Sequence, residues 1–211
     1  ENVEVVKQSW AVWKQFLKSL QFWAHGIQYL MVCYIWWIYL SWLPIYLLEA
    51  RGMNLKTMAL ANAFPFIAIS LGMLVGGKLS DTLYKRGYSK AIARSSLTIG
   101  GLLVCGACLY LGSMAATPYV AVVWMSLALL ALGFNFTASW TICQDLGQKQ
   151  TIAVVGWMQI WANLAGVFAP TVMAWLVVNY SWQTALNVTA SLVIVGAIFA
   201  YLIKPDRPLH E

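Results

Sequence analysis

Charge is what this sequence has least of. Only 9% of its 211 residues are Asp, Glu, Lys or Arg, against 61% hydrophobic residues and a mean hydropathy of +0.71, where a soluble domain carries about 25% charged residues. A water-soluble fold is excluded, and the apolar stretches themselves must be the structure. Histidine is nearly absent too, with only His25 and His210. Neither lies in mid-span, and the patterns G-x-S-x-G and H-E-x-x-H are both missing, so an intramembrane hydrolase would have no base to work with; no enzyme is expected. The four cysteines, Cys33, Cys105, Cys108 and Cys143, fall inside apolar segments without metal-ligand spacing. That argues against disulfides and zinc, and for small packing residues. The start, Glu-Asn-Val-Glu-Val, lacks the basic region of a cleaved signal peptide. The net charge of +6 comes from residues beside apolar stretches, which points to anionic lipid headgroups and not to nucleic acid. No cofactor or metal is implied.

What is present is length. A bilayer core about 30 Å thick needs roughly 20 helical residues, and six stretches supply them: 22–48, 58–77, 92–114, 119–143, 152–178 and 185–203. Lys and Arg sort to one side of these spans. Lys7, Lys14, Lys18, Lys78, Lys85, Arg86, Lys90, Arg94, Lys149, Lys204 and Arg207 share a side with the termini, and only Arg51 and Lys56 lie opposite. Eleven against two is a positive-inside bias, which predicts cytoplasmic termini and a multi-pass protein of the plasma (bacterial inner) membrane. Before the first span, Trp10, Trp13, Phe16, Leu17 and Leu20 recur at helical spacing around Lys14 and Lys18. Residues 1–20 thus read as an interfacial helix, and 21–211 as a six-helix transmembrane bundle.

The most specific local pattern follows the second span: Gly77-Lys78-Leu79-Ser80-Asp81-Thr82-Leu83-Tyr84-Lys85-Arg86-Gly87. A small residue, an acid and a basic pair at a helix end let Asp81 find a cationic or helix N-terminal partner while the bases stay hydrated. This resembles the loop signature G-x-L-x-D-x-x-x-R/K-R/K of the major facilitator superfamily, with Tyr84 where that family commonly has glycine. The first span, Trp36-Trp37-Ile38-Tyr39-Leu40-Ser41-Trp42-Leu43-Pro44-Ile45-Tyr46-Leu47, followed by Glu49-Ala50-Arg51-Gly52-Met53, is similar to the seventh helix of the anion:cation symporter branch. That branch includes galactonate, glucarate and hexuronate carriers. The resemblance covers about 22–203 and implies a carboxyl-terminal half, helices seven to twelve of a twelve-helix fold built from inverted three-helix repeats. It also implies that the loop around Gly77, Asp81, Lys85 and Arg86 is a conformational gate braced against the other half.

Three polar constellations can line a substrate path. In the fourth span Thr137, Trp140, Thr141 and Gln144 share a face; interhelical hydrogen bonding is the competing use of the threonines, and Trp140 offers both an apolar wall and a donor. In the fifth, Gln159 and Asn163 lie four apart and present amides suited to a polyhydroxylated acid. Aligned on Gly156 and Pro170, Gln159 falls where the sugar-acid carriers resembled here place a substrate-binding asparagine. In the first, Tyr34, Trp37 and Ser41 form one face, with Trp36 and Tyr39 off it; Trp37 and Tyr39 are deep enough for a cavity role, whereas Trp42 and Tyr46 suit the interfacial aromatic belt. Ala68, Gly72 and Gly76 form a small-xxx-small packing stripe. Pro65, Pro170, Gly133, Gly156 and Gly166 are permissive points for rocking motions.

No charged residue sits in the middle of any span; Asp145 lies near the end of the fourth. A proton-coupled carrier needs an intramembrane titratable group, and an organic anion is best met by a buried arginine. Both are expected in an amino-terminal six-helix half, which would be the partner of this chain and would bind the coupling ion, H+. The expected function is secondary active transport of a small organic anion, a sugar acid or related carboxylate. A neutral-solute carrier and a six-helix channel or structural subunit are the alternatives.

Overall fold

The computed structural model describes residues 10–209, and every regular element among them is helical. Residues 1–9, including Lys7, and residues 210–211 lie outside the described part, so the expected interfacial helix is seen only from Trp10. The helices are α1 (Trp10–Lys18), α2 (Leu20–Ile45), α3 (Leu55–Lys85), α4 (Ser96–Ser113), α5 (Pro118–Gly147), α6 (Thr151–Asn179) and α7 (Trp182–Tyr201). Wider π-type turns extend α2 over Tyr46–Ala50 and lead into α4 over Ala91–Ser95.

Five uninterrupted helical runs are long and apolar enough to cross a membrane, and the fourth, Pro118–Asn179, contains both α5 and α6. The chain reverses inside that run. Contacts Gln28–Asn135 and Tyr39–Met125 make α5 antiparallel to α2, whereas Gly26 meets Trp161 and Gly166 meets Trp37, so α6 runs parallel to α2. The reversal falls on the 3-10 turn Gln148–Gln150, where Gln148 takes a positive φ of 45°. The polypeptide therefore traverses the bundle six times, α3 packing parallel to α5, and α4 antiparallel to both α5 and α7.

The helices begin where the sequence provides caps. Asn54, Thr117 and Ser181 accept from the backbone N–H groups of Thr57, Val120 and Thr184, and Pro118 stands in the first turn of α5. All three caps lie at the end of the bundle poor in basic residues. At that same end Arg51 stretches over the Tyr46 ring and donates to the carbonyls of Gly112, Ser113 and Ala115. Carbonyls left open at the end of α4 are thereby satisfied by a cation, the charge that the negative pole of a helix favours.

Lipid chains are as apolar as leucine, so helices associate there through close packing and polar contacts. The closest crossing joins α3 and α5: a Cβ on Gly72 would lie 2.0 Å from the Leu130 carbonyl oxygen, and one on Gly133 would lie 2.5 Å from that of Ile69. Gly76 meets Phe134 next along the crossing. The stripe read as packing is packing. Gly133 and Gly166, read as points of freedom, are instead filled contacts, the latter by the Trp37 indole; Gly156 alone of the three has open space around it. Helices α3 and α6 continue through Pro65 and Pro170.

Helix α1 docks on the bundle through Phe16, which is fully buried with its ring 5.3 Å from that of Phe22, while Trp10, Leu17 and Leu20 face outward. Replacing Gly72 by Val should cost about 2–3 kcal/mol through overpacking against backbone and lower the thermal midpoint in detergent. Gly100, with nothing within 4 Å, should accept Ala with no loss.

Candidate functional site

Because polar groups inside a bilayer must find partners, the informative question is which ones the fold leaves available. Thr137 donates its hydroxyl to the Met73 carbonyl at 2.9 Å and so staples α5 to α3. Tyr39 is buried and donates to the Met125 carbonyl at 3.0 Å; its ring lies in the core between α2, α5, α6 and α7, beside Met125, Met173 and Leu186. Trp37 is half-buried and donates to the Ala162 carbonyl at 3.2 Å. These three side chains are spent on holding helices together.

The other three are open. Trp140 is 41% exposed. Gln159 and Asn163 are exposed on α6 and line a shallow groove with Gly156, Ile160, Leu164 and Val167. Asn163 donates to the carbonyl of Gln159 at 2.7 Å, within its own helix, and the Gln159 side chain makes no hydrogen bond among the described residues. An unoccupied amide can donate to a carboxylate or exchange hydrogen bonds with hydroxyls.

Next to Trp140 the structure adds residues that spacing did not single out. Trp36, one position from Trp37, sets its ring edge-on to Phe66 of α3 at 5.7 Å and to Phe136 of α5 at 5.9 Å, and Tyr29 meets Phe136 edge-on at 6.0 Å. Tyr29, Trp36, Phe66 and Phe136 make one aromatic wall across three helices. On the other flank of α2, Trp161 packs against Trp23 and Trp157 with its indole N–H unpartnered. A spacing of seven between Tyr29 and Trp36 on α2 was the available sequence signal.

Deeper in, Gln28 donates to the Asn135 amide oxygen, Asn135 donates to the Thr98 carbonyl, and the Ser139 hydroxyl donates to the amide oxygen of Gln28. All four residues are fully buried. This chain ties α2, α4 and α5 together, and a satisfied network of this kind fixes register. His25 lies 3.1 Å from Cys143 Sγ in the same core.

At the basic end the loop motif turns out to be helix. Residues from Gly77 to Lys85 form the last turns of α3, Arg86 caps it, and the chain turns at Gly87 with a φ of +87°. The conformational freedom that glycine would give at position 84 is supplied three residues later, so Tyr84 is free to stack under the Arg94 guanidinium at 5.8 Å. Asp81, Lys85 and Arg86 are exposed, and none makes an ion pair among the described residues. Gly77 rests on the Thr137 methyl group. Arg94, counted from sequence among the cations on the side of the termini, is buried and paired with Asp145, which Lys90 also meets at 3.0 Å.

An all-helical, multi-pass membrane bundle with an aromatic and amide-bearing face is the class this geometry defines. The sequence model of the Major Facilitator Superfamily matches residues 1–155, and the chain belongs to that family. It is 34% identical over 178 residues to a probable sulfoacetate transporter of Cupriavidus necator, covering 82% of this chain and 41% of that protein. It is 29% identical over 205 residues to a probable L-galactonate transporter of Escherichia coli, covering 96% and 45%. A probable galactarate/D-glucarate transporter of the same organism is 30% identical over 163 residues, covering 77% and 35%. The similarity to sugar-acid carriers read from the motif loop and first span is thus borne out, and the chain spans less than half the length of these relatives.

Asp145→Asn should destabilise the fold by about 3–5 kcal/mol, because it strands the buried Arg94 charge. Lys90→Gln, at a side chain 31% exposed, should cost under about 1 kcal/mol. Thermal unfolding of the two variants side by side measures the difference.

Proposed function

We propose that this chain is the carboxyl-terminal six-helix half of a carrier that moves a small organic anion across a membrane by alternating access. The observation that carries the reading is the pair Gln159 and Asn163, exposed side by side on α6, with the Gln159 amide making no side-chain hydrogen bond among the described residues. The relatives support it: they are named as probable transporters of sulfoacetate, L-galactonate and galactarate/D-glucarate, all small acids rich in hydrogen-bonding oxygen.

The packing supports an inverted repeat. If α2, α3 and α4 correspond to α5, α6 and α7, the parallel pair α3 and α5 maps onto the parallel pair α6 and α2. Likewise α4 against α5 maps onto α7 against α2, and α4 against α7 maps onto itself. Each corresponding pair runs in opposite directions, as inversion demands. Substrate in such folds is held between repeat units near the bilayer midplane.

In this reading Trp140 and the Tyr29–Trp36 wall give the substrate's carbon skeleton a flat apolar side, and Gln159 and Asn163 engage its hydroxyl and acid oxygens. Thr137, Tyr39 and Trp37 act by holding the wall in position. The cation for the acid group and the proton-coupling carboxylates belong to an amino-terminal half, since Arg94 is neutralised by Asp145 within this one. The basic end faces the cytoplasm of a bacterial inner membrane, with α1 at the interface. Exposed Asp81, Lys85 and Arg86 brace the outward-facing state against the partner half.

Uptake into proteoliposomes holding the full-length protein tests this. Radiolabelled galactonate, glucarate and sulfoacetate should enter in response to an inward proton gradient, and galactose and glucose should not. Gln159→Ala should raise KM roughly tenfold to a hundredfold, the range for a hydrogen bond to a charged group. Preference for the uncharged sugars would favour the neutral-solute alternative, and unitary electrical currents a channel.

A further inference from the structure

Between α4 and α7, at the basic end, a cavity of about 620 Å³ opens beside the start of α2, a volume within the roughly 300–1,000 Å³ usual for small-ligand sites. Its lining is largely apolar, with Leu20, Ile92 and Tyr201 exposed and Ile99 and Leu202 half-buried, and it also includes Ser95, Ser96, Lys204 and Arg207. Lys204 and Arg207 are exposed and make no ion pair among the described residues. The nearest acid, Asp206, is occupied: its two carboxylate oxygens accept the backbone N–H groups of Lys90 and Ala91. Asp145 is occupied by Lys90 and Arg94. Among the described residues, then, neither acid pairs with Lys204 or Arg207, and both cations stand at the mouth of a largely apolar cavity.

A second cavity lies farther along the same two helices, lined by Leu103, Gly106, Tyr110, Ala190, Ser191 and Ile194 among others. Along α4 the linings of the two cavities follow one another from Ser95 to Tyr110, roughly 22 Å at 1.5 Å per residue, longer than one leaflet of about 15 Å. Gly106 and Ala190 let the two helices close beneath it, and Leu103, Tyr110 and Ile194 present apolar surface along it. A charged mouth continuous with an apolar track is the shape of an amphiphile whose head is anionic.

We propose that this is a binding site for one anionic phospholipid, its phosphate held by Lys204 and Arg207 and an acyl chain laid in the α4–α7 groove. The hydroxyls of Ser95 and Ser96 donate to the carbonyls of Ile203 and Ile92, so the two cations supply the donors for the phosphate. The site makes no use of the aromatic wall or the Gln159 groove, so it stands whether or not the transport reading does.

Native mass spectrometry of the full-length protein in detergent, titrated with phosphatidylglycerol or phosphatidylcholine, reads the site directly. One phosphatidylglycerol should be retained per protein and phosphatidylcholine should not. Lys204→Gln with Arg207→Gln should weaken retention about thirtyfold, from the worth of two cations near a membrane surface, while Lys78→Gln with Lys149→Gln, which removes the same charge elsewhere on the basic end, should leave it unchanged. Ile99→Trp, which fills the cavity and keeps both cations, should also abolish retention, so a misfolded double-charge variant leaves a second arm. Equal loss in the two charge pairs, equal retention of phosphatidylcholine, or retention by Ile99→Trp would each overturn the proposal. Displacement of the lipid by glycerol phosphate at matched concentration would overturn it in favour of a soluble phosphate.

Discussion

Hydrocarbon offers a polar atom no partner, and that constraint organises the whole of this bundle. Six traverses keep their backbone bonds inside helices, and each interruption comes with a substitute. Arg51 fills the open carbonyls ending α4, Asp206 fills the open amides before it, and the reversal between α5 and α6 is made within a single 3-10 turn. Where polar side chains lie deep, as at Gln28 and Asn135, they answer one another across helices. An unpaired group costs far more than a paired one gains, so these bonds act chiefly by forbidding other registers.

The same constraint separates scaffold from site. Thr137, Tyr39 and Trp37 have found carbonyls and their polarity is consumed. Gln159 has found no partner among the described residues, and Trp140 is 41% exposed. A polar group kept in a membrane protein without an internal partner needs water or ligand, and a carrier cavity provides both. The buried ion pair at the basic end belongs with the scaffold: Arg94 and Asp145 cancel and leave the α3 tip with its charges in solvent.

The number of traverses and their approximate limits were legible from apolar length alone, because a membrane imposes one thickness on every helix. The loop around Asp81 was legible as a motif, but its helical conformation was not: polar residues end a hydrophobic span without ending the helix, and α3 runs on to Lys85. Least legible was rotation. A soluble helix announces its buried face by amphipathic pattern, whereas here lipid and core are both apolar and successive residues differ by about 100°. Trp36 and Trp37 are chemically identical in sequence, yet one joins the aromatic wall and the other seals Gly166. The burial of Arg94 was not legible for a related reason, since its partner Asp145 lies on a different helix.

The Gly72–Gly133 crossing limits how the molecule can deform. With backbone lodged against backbone at that point, neither helix can slide by even one residue's rise without collision. Helices α3 and α5 thus meet main chain to main chain and form one closely packed plate. Flexure is left to elements that touch the plate through side chains alone, and the wall formed by Phe66 and Phe136 is carried on the rigid part.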